Sequence, residues 1–299
     1  MNCRPMKTIA LICLTSFAVS LASAQVYPTL NKVNIRSQVT TAASSKMYFY
    51  DYTLSNDAAN KGNILALEID ISRTKGTVDF DTIGLIFEDS FVQHAFQRAY
   101  RALAHQIVPV GFPKAPKFWV GGVSDYLTAD ISGDTLLITP GQSLGGFTLM
   151  SKGLPAIRRC TVRPDFDVDS LYPKYEDTVN TIDEKIDSIR NACNYYGFTV
   201  GPGSPPSPFN ARSFLDTLTS YITQSRSLGW ITSQATADSF AGRVGSAKAL
   251  LRARDTSGLR KVGNEILAMA TRDSGSTLTS EAYALVFFNV GYLLKEMGK

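Results

Sequence analysis

The chain has 299 residues, 44% of them hydrophobic and 19% charged, which is long enough for two domains and apolar enough to bury a core in each. Its formal charge is only +4, and its densest basic spots, Arg158 with Arg159 and Arg252 with Arg254, are short; no basic stripe marks a nucleic-acid interface. With only two histidines and four cysteines in the chain, a His- or Cys-rich metal centre is also excluded.

At the N-terminus Arg4 and Lys7 precede an apolar run, residues 8–22, that ends in Ala22, Ser23 and Ala24 before Gln25. A basic start, a short apolar core and a small-residue triplet make a secretory signal peptide over residues 1–24, with cleavage between Ala24 and Gln25. About fifteen apolar residues fall short of the roughly 20 that span a bilayer. Ile12 precedes Cys13 where a lipoprotein signal needs a small residue, so no lipid anchor is expected. Losing Arg4 and Lys7 takes the charge from +4 to +2. The other long apolar stretch, residues 282–294, is interrupted by Asn289 and Gly291 and has the length of a buried core helix. The expectation is a secreted or cell-envelope protein with no membrane span in its mature chain.

From residue 25 to 164 the signals are those of strands. Tyr48, Tyr50, Tyr52 and Leu54 alternate with Met47, Phe49, Asp51 and Thr53, and the run closes on the polar cluster Ser55, Asn56, Asp57. Residues 64–71 alternate with Leu65, Leu67, Ile69 and Ile71 on the core face. Further strands are expected at 83–87, 118–120, 135–139, 146–150 and 157–162, with one helix at 91–106. Many short strands between turn residues predict an antiparallel β-sandwich. Residues 165–176 read as a linker.

Residues 177–299 read as an all-α helical bundle, making the whole a two-domain α+β chain. Val179, Ile182, Ile186, Ile189, Cys193 and Tyr196 form one apolar stripe from Glu176 onward, stopped by Gly197. Residues 201–208 hold four prolines and form a rigid extended connector. Helices follow at 211–225, 234–252, 257–271 and 280–297, with Thr232 or Ser233 and Thr279 as N-caps and Gly229, Gly258 and Gly275 in the breaks. The last helix is apolar nearly all round, which places it in the middle of the bundle. Once the signal peptide is removed, Cys160 and Cys193 are the only cysteines. They are either two separate buried thiols or one disulfide, which would close a loop of about 34 residues and contribute about 3 to 4 kcal/mol.

The run Phe214, Leu228, Gly229, Trp230, Ile231 through Leu278, Thr279, Ser280, Glu281, Ala282 and Tyr283 resembles the helical C-terminal modules of the FIMAH or FIVAR type in exported bacterial proteins. Residues 140–147 are similar to sandwich modules of secreted and surface proteins. The resemblance implies an accessory or surface role and no defined reaction.

Three constellations bear on chemistry. Gly141, Gln142, Ser143, Leu144 and Gly145 match the nucleophile-elbow pattern, but a second strand follows where that motif needs a helix, and His94 and His105 both precede the serine. On a helix those histidines stand about 16 Å apart along the axis and share no metal ion. Asp165, Asp167, Asp169 and Glu176 occupy positions 1, 3, 5 and 12 of a calcium loop, with Ser170 where glycine is wanted and Pro173 at position 9. Calcium is therefore the one cofactor the sequence suggests, against a solvated linker whose acids favour a helix N-terminus. Trp119, Trp230 and Tyr48, Tyr50 and Tyr52 are either a sugar-binding face or packed aromatics.

These readings lead to a non-enzymatic exported module that binds a surface, a polysaccharide or a protein ligand. Its rivals are a calcium-stabilised adhesin, a carbohydrate-binding protein and a hydrolase with an unrecognised site.

Overall fold

The computed structural model describes residues 27–41, 47–70, 119–123, 126–131, 137–167 and 182–298. Among them are eight strands, β1 (Val33–Thr41), β2 (Tyr48–Asn56), β3 (Ile64–Asp70), β4 (Trp119–Val123), β5 (Tyr126–Ile131), β6 (Ser143–Ser151), β7 (Leu154–Pro164) and β8 (Tyr195–Gly203). The five helices are α1 (Ile182–Cys193), α2 (Ala211–Ser227), α3 (Gln234–Arg252), α4 (Thr256–Asp273) and α5 (Ser280–Glu296). Two antiparallel sheets form, ordered β1-β2-β6 and β4-β5-β3-β7-β8. The fold is mixed, with sheets drawn chiefly from the first half of the chain and helices from the second. The signal peptide and its cleavage site at Ala24 and Gln25, the strand at 83–87 and the helix at 91–106 lie outside the described residues.

In β2 the alternation is as the sequence predicts: Tyr50, Tyr52 and Leu54 are buried and Phe49, Asp51 and Thr53 half-buried. A buried phenol needs an acceptor. Tyr50 Oη donates to Gly153 O at 2.7 Å and Tyr52 Oη to Val200 O at 3.0 Å, and burial pushes both phenols up, so both remain donors.

Alternation at residues 64–71 predicts Leu65 inward, but the structure corrects this. Ile64 and Ala66 are buried together with Leu67 and Ile69, while Leu65 is half-buried. The register against β7 shifts between Ile64 and Ala66, and such an irregularity reverses the phase of a strand. Of the strand expected at 135–139, only Ile138 pairs among the described residues, as a single bridge to Ile64.

The elbow-like motif is a turn followed by a strand. Gln142 N donates to Thr139 O at 3.0 Å, and Gly141 has φ +84°, the backbone that the third position of a type II turn requires after a proline. Gly146, with φ +98°, is the extra residue where β6 steps from Phe147 opposite Tyr52 to Gly145 opposite Thr53.

Helices α2 to α5 lie where the apolar periodicity puts them. Ser233 is the N-cap of α3, its Oγ accepting from Thr236 N at 3.3 Å. Gly258 lies not in a break but in the first turn of α4, where its N–H donates to Asp255 Oδ1 at 2.8 Å.

The largest departure is at β8. The stripe from Glu176 to Tyr196 reads as one helix, yet α1 ends at Cys193 and Tyr196 belongs to a strand that also takes in residues 201–203 of the Pro-rich connector. The helical part of the sequence therefore contains a strand that returns to the sheet. Gly201 and Gly203 permit it: a Cβ at 203 would meet Ala156 Cβ at 2.8 Å, and one at 201 would meet Arg158 Cγ at 3.1 Å.

Helix α5 is apolar on two sides because it has two partners. Ala284 and Leu285 join the core formed by Ile35, Val39, Tyr50, Tyr52, Phe147, Leu149, Ile69, Val162 and Val200 from both sheets, with Phe288 packed against it. Ala282, Val286, Val290 and Leu293 join Phe214, Leu218, Phe240, Val244, Leu259 and Ile266 from α2, α3 and α4. Between these faces stands Asn289, 2% exposed, whose Nδ2 donates to Pro155 O and to Leu285 O, both at 2.9 Å. Asn289→Leu keeps the γ-branched shape and leaves Pro155 O buried without its donor, so it should lower unfolding stability by about 1–3 kcal/mol. Urea denaturation checks this as a drop in midpoint at unchanged slope.

Candidate functional site

After α2 the chain doubles back, with Trp230 N and Ile231 N both donating to Ser225 O, at 2.8 and 3.1 Å. Ile231 then pairs with Leu278, Thr279 N donates to Trp230 O at 2.9 Å and Thr232 N to Thr277 O at 2.9 Å. This short ladder holds Trp230 beside the N-terminus of α5. From that terminus Glu281 reaches back to β1, where its Oε1 accepts from Ser37 N at 2.6 Å.

The result is a cleft of about 450 Å³ between the outward face of β1 and the two turns, lined by Asn34, Arg36, Trp230, Thr279, Ser280 and Glu281 among others. Glu281 is 4% exposed and makes no ion pair among the described residues. Its charge is compensated by the Ser37 amide, by Ser280 Oγ donating to Oε2 at 3.3 Å and by its place in the first turn of α5. Oε2 thus keeps acceptor capacity beyond that one bond. Thr279 stands at the N-cap of α5 without a capping bond, and its buried Oγ1 has no hydrogen-bond partner; a hydroxyl there both donates and accepts. Arg36 and Asn34, alternating outward on exposed positions of β1, add donors, and Trp230 is half-buried.

Such a lining suits a polyhydroxylated ligand: an aromatic face for C–H groups and planar polar side chains for hydroxyls. Glu281 is the only carboxylate among the described lining residues, whereas glycoside hydrolysis by the usual route takes two. The sequence leaves Trp230 open between a sugar-binding face and packing, and it offers Asn34, Arg36 and Glu281 no functional role. The available signal is a carboxylate at the head of a helix otherwise apolar all round.

Two other hollows are smaller. One of about 300 Å³ lies over Asn289, between Leu154, Pro206, Pro208, Phe214 and Tyr221. Another, about 290 Å³, lies between α2 and α3, where Lys248 Nζ binds Asp216 Oδ1 at 2.8 Å with Arg212 and Arg252 nearby. The lysine's hydrogen bond holds the Asp216 carboxyl below its usual value.

Several of the residues singled out from the sequence fall at separate places among the described residues. Asp165 N donates to Asn63 O at 2.9 Å just after β7; Asp167 is also described, but Asp169 and Glu176 lie outside the described residues, as do His94 and His105. Ser143 opens β6, and its Oγ donates to Ser55 Oγ at 2.7 Å on the exposed face. Tyr50 and Tyr52 belong to the core, and Trp119 opens β4. Arg158 Nε donates to Pro202 O at 2.7 Å.

Cys160 on β7 and Cys193 at the end of α1 are both buried free thiols. No protein-family model matches this chain, and no curated protein does. No helix among the described residues is long and apolar enough to cross a membrane.

Burial penalises the thiolate and pushes Cys160 up to about 12. At pH 8 only about one thiol in ten thousand is then ionised there. Iodoacetamide at that pH should leave Cys160 unmodified in the native protein and label both cysteines in denaturant without reductant. Intact-mass spectrometry reads the count.

Proposed function

We propose that this chain is an exported, non-enzymatic binding module of the cell envelope or extracellular space, and that its ligand is a polyhydroxylated segment such as a polysaccharide. The observation that carries the reading is the cleft at the head of α5. Trp230 offers a partly open ring there, Arg36 and Asn34 offer donors, Glu281 offers a carboxylate, and Thr279 offers a hydroxyl without a partner among the described residues. A single carboxylate, with no histidine or cysteine beside it among the lining residues, supports binding rather than turnover.

The export reading rests on the N-terminal pattern of Arg4, Lys7 and Ala22, Ser23, Ala24. The likeness to FIMAH or FIVAR modules, with its accessory or surface role, belongs to the same proposal. So does a sandwich of the two sheets; the single core into which Tyr50, Phe147, Ile69 and Val162 all point supports it.

The test is calorimetric titration of the purified protein with soluble cello-, malto- and chito-hexaose. At least one should bind, and Arg36→Ala or Asn34→Ala, both at exposed strand positions, should weaken it. Trp230→Ala should cost tenfold or more, about 1.4 kcal/mol. Binding by none of the three, or binding that all three variants leave intact, would reject the cleft as the site.

A further inference from the structure

Each sheet has an edge strand at either end, and the edge at β8 is closed along only half its length. Pro202 stands opposite Pro155 in the β7–β8 ladder. Neither has an N–H, so theirs is a non-hydrogen-bonded pair, and Pro202, Val200, Phe198 and Tyr196 all turn their peptide groups away from β7. The outward carbonyls of Pro202 and Val200 are occupied, by Arg158 Nε at 2.7 Å and Tyr52 Oη at 3.0 Å. The peptide groups of Tyr196 and Phe198 have no partner among the described residues. Their side chains, 60% and 44% exposed, are also the exposed large hydrophobics among the described residues.

An edge of this kind is normally blunted by a lysine, a proline or a bulge. Tyr195, Tyr196, Gly197, Phe198 and Thr199 contain none, and their register against β7 is unbroken.

We propose that this edge pairs with the same edge of a second copy of the chain, antiparallel, with the twofold axis at Gly197. The pattern of open groups is its own complement. In that register Tyr196 of each copy faces Phe198 of the other, and each pair exchanges both hydrogen bonds, so all four N–H and all four C=O groups are satisfied. Tyr196 and Phe198 lie on one face of β8, so the two pairs bring four aromatic rings together across the joint. Gly197 meets Gly197 of the second copy at the non-hydrogen-bonded position, where backbones come closest and a side chain would crowd the axis. The five-stranded sheets become one of ten strands. Two residues per copy bury less than the roughly 1,200 Å² of a stable interface, so the dimer is weak and reversible.

Sedimentation equilibrium of the purified protein from micromolar to near-millimolar concentration should show the mass rising toward that of two chains. Over the same range, amide exchange at Tyr196 and Phe198 should slow several-fold. Gly197 and Thr199, whose amides already face β7, should not change. Phe198→Lys places a charge on an exposed edge position and should abolish both effects at an unchanged melting temperature. A mass that stays at one chain overturns the proposal; so does a rise that leaves the Tyr196 and Phe198 amides fast, or one that survives in the folded lysine variant. If that variant does not fold, the exchange of the unaltered protein decides alone.

Discussion

Helix α5 has no solvent side to speak of, and the arrangement of the other elements follows from that. An amphipathic helix needs one apolar partner; a helix with Leu285 and Phe288 on one side and Val286, Val290 and Leu293 on another needs two. The sheets supply one and the α2–α4 helices the other. Asn289 between them shows that the joint is specific, because burying an amide is costly unless its hydrogen bonds are met, and Pro155 O in β7 meets one of them. Tyr48 against Phe288, with ring centroids 5.4 Å apart, fastens β2 to the same helix. The triangle of Phe209, Phe214 and Tyr292 holds the end of the Pro-rich segment between α2 and α5.

The cleft is a consequence of where that helix begins. Since α5 must enter between sheet and bundle, its first turn emerges beside β1, and the ladder of 230–232 with 277–279 brings Trp230 to the same point. Glu281 then serves two purposes. It satisfies an amide on the edge of β1 that no strand takes, and it carries a negative charge into a recess otherwise rimmed by hydroxyls, an amide and a guanidinium. A carboxylate at a helix N-terminus next to a strand amide is stable without an ion-pair partner.

The helices and the central strands are legible in the sequence because their signal is local. The period of 3.6 in α2 to α4 and of two in β2 comes from burial on one face, and each element carries it alone. What escapes is set by neighbours. The phase of β3 reverses at an irregularity that depends on its partner β7. Tyr196 satisfies the helical stripe of α1 by spacing yet lies in β8, since the Gly and Pro residues that argue against a strand are tolerated at an edge. Ser55, Asn56 and Asp57 read as a turn cluster, whereas Asn56 is 2% exposed and donates to Gly62 O and Ile138 O, holding together loops far apart in sequence. The cleft residues fall in the same class. Asn34, Arg36 and Glu281 are unremarkable where they stand in the chain, and only the packing of α5 collects them with Trp230.

The edges at β1 and β8 show how the same need is met to different degrees. At β1 a side chain from α5 reaches the strand and takes the Ser37 amide, so the edge is covered by an element the core already requires. At β8 the cover comes from Arg158 and Tyr52, and both act on the second half of the strand, where Gly201 and Gly203 let side chains lie close. Among the described residues nothing comparable reaches Tyr196 and Phe198, because α1 ends at Cys193 and the chain enters β8 almost directly from it. Exposed aromatic residues on an unblunted edge carry a risk of uncontrolled pairing. A register that closes on itself about Gly197 limits that risk: once two copies meet, no open group remains on that stretch of edge to recruit a third.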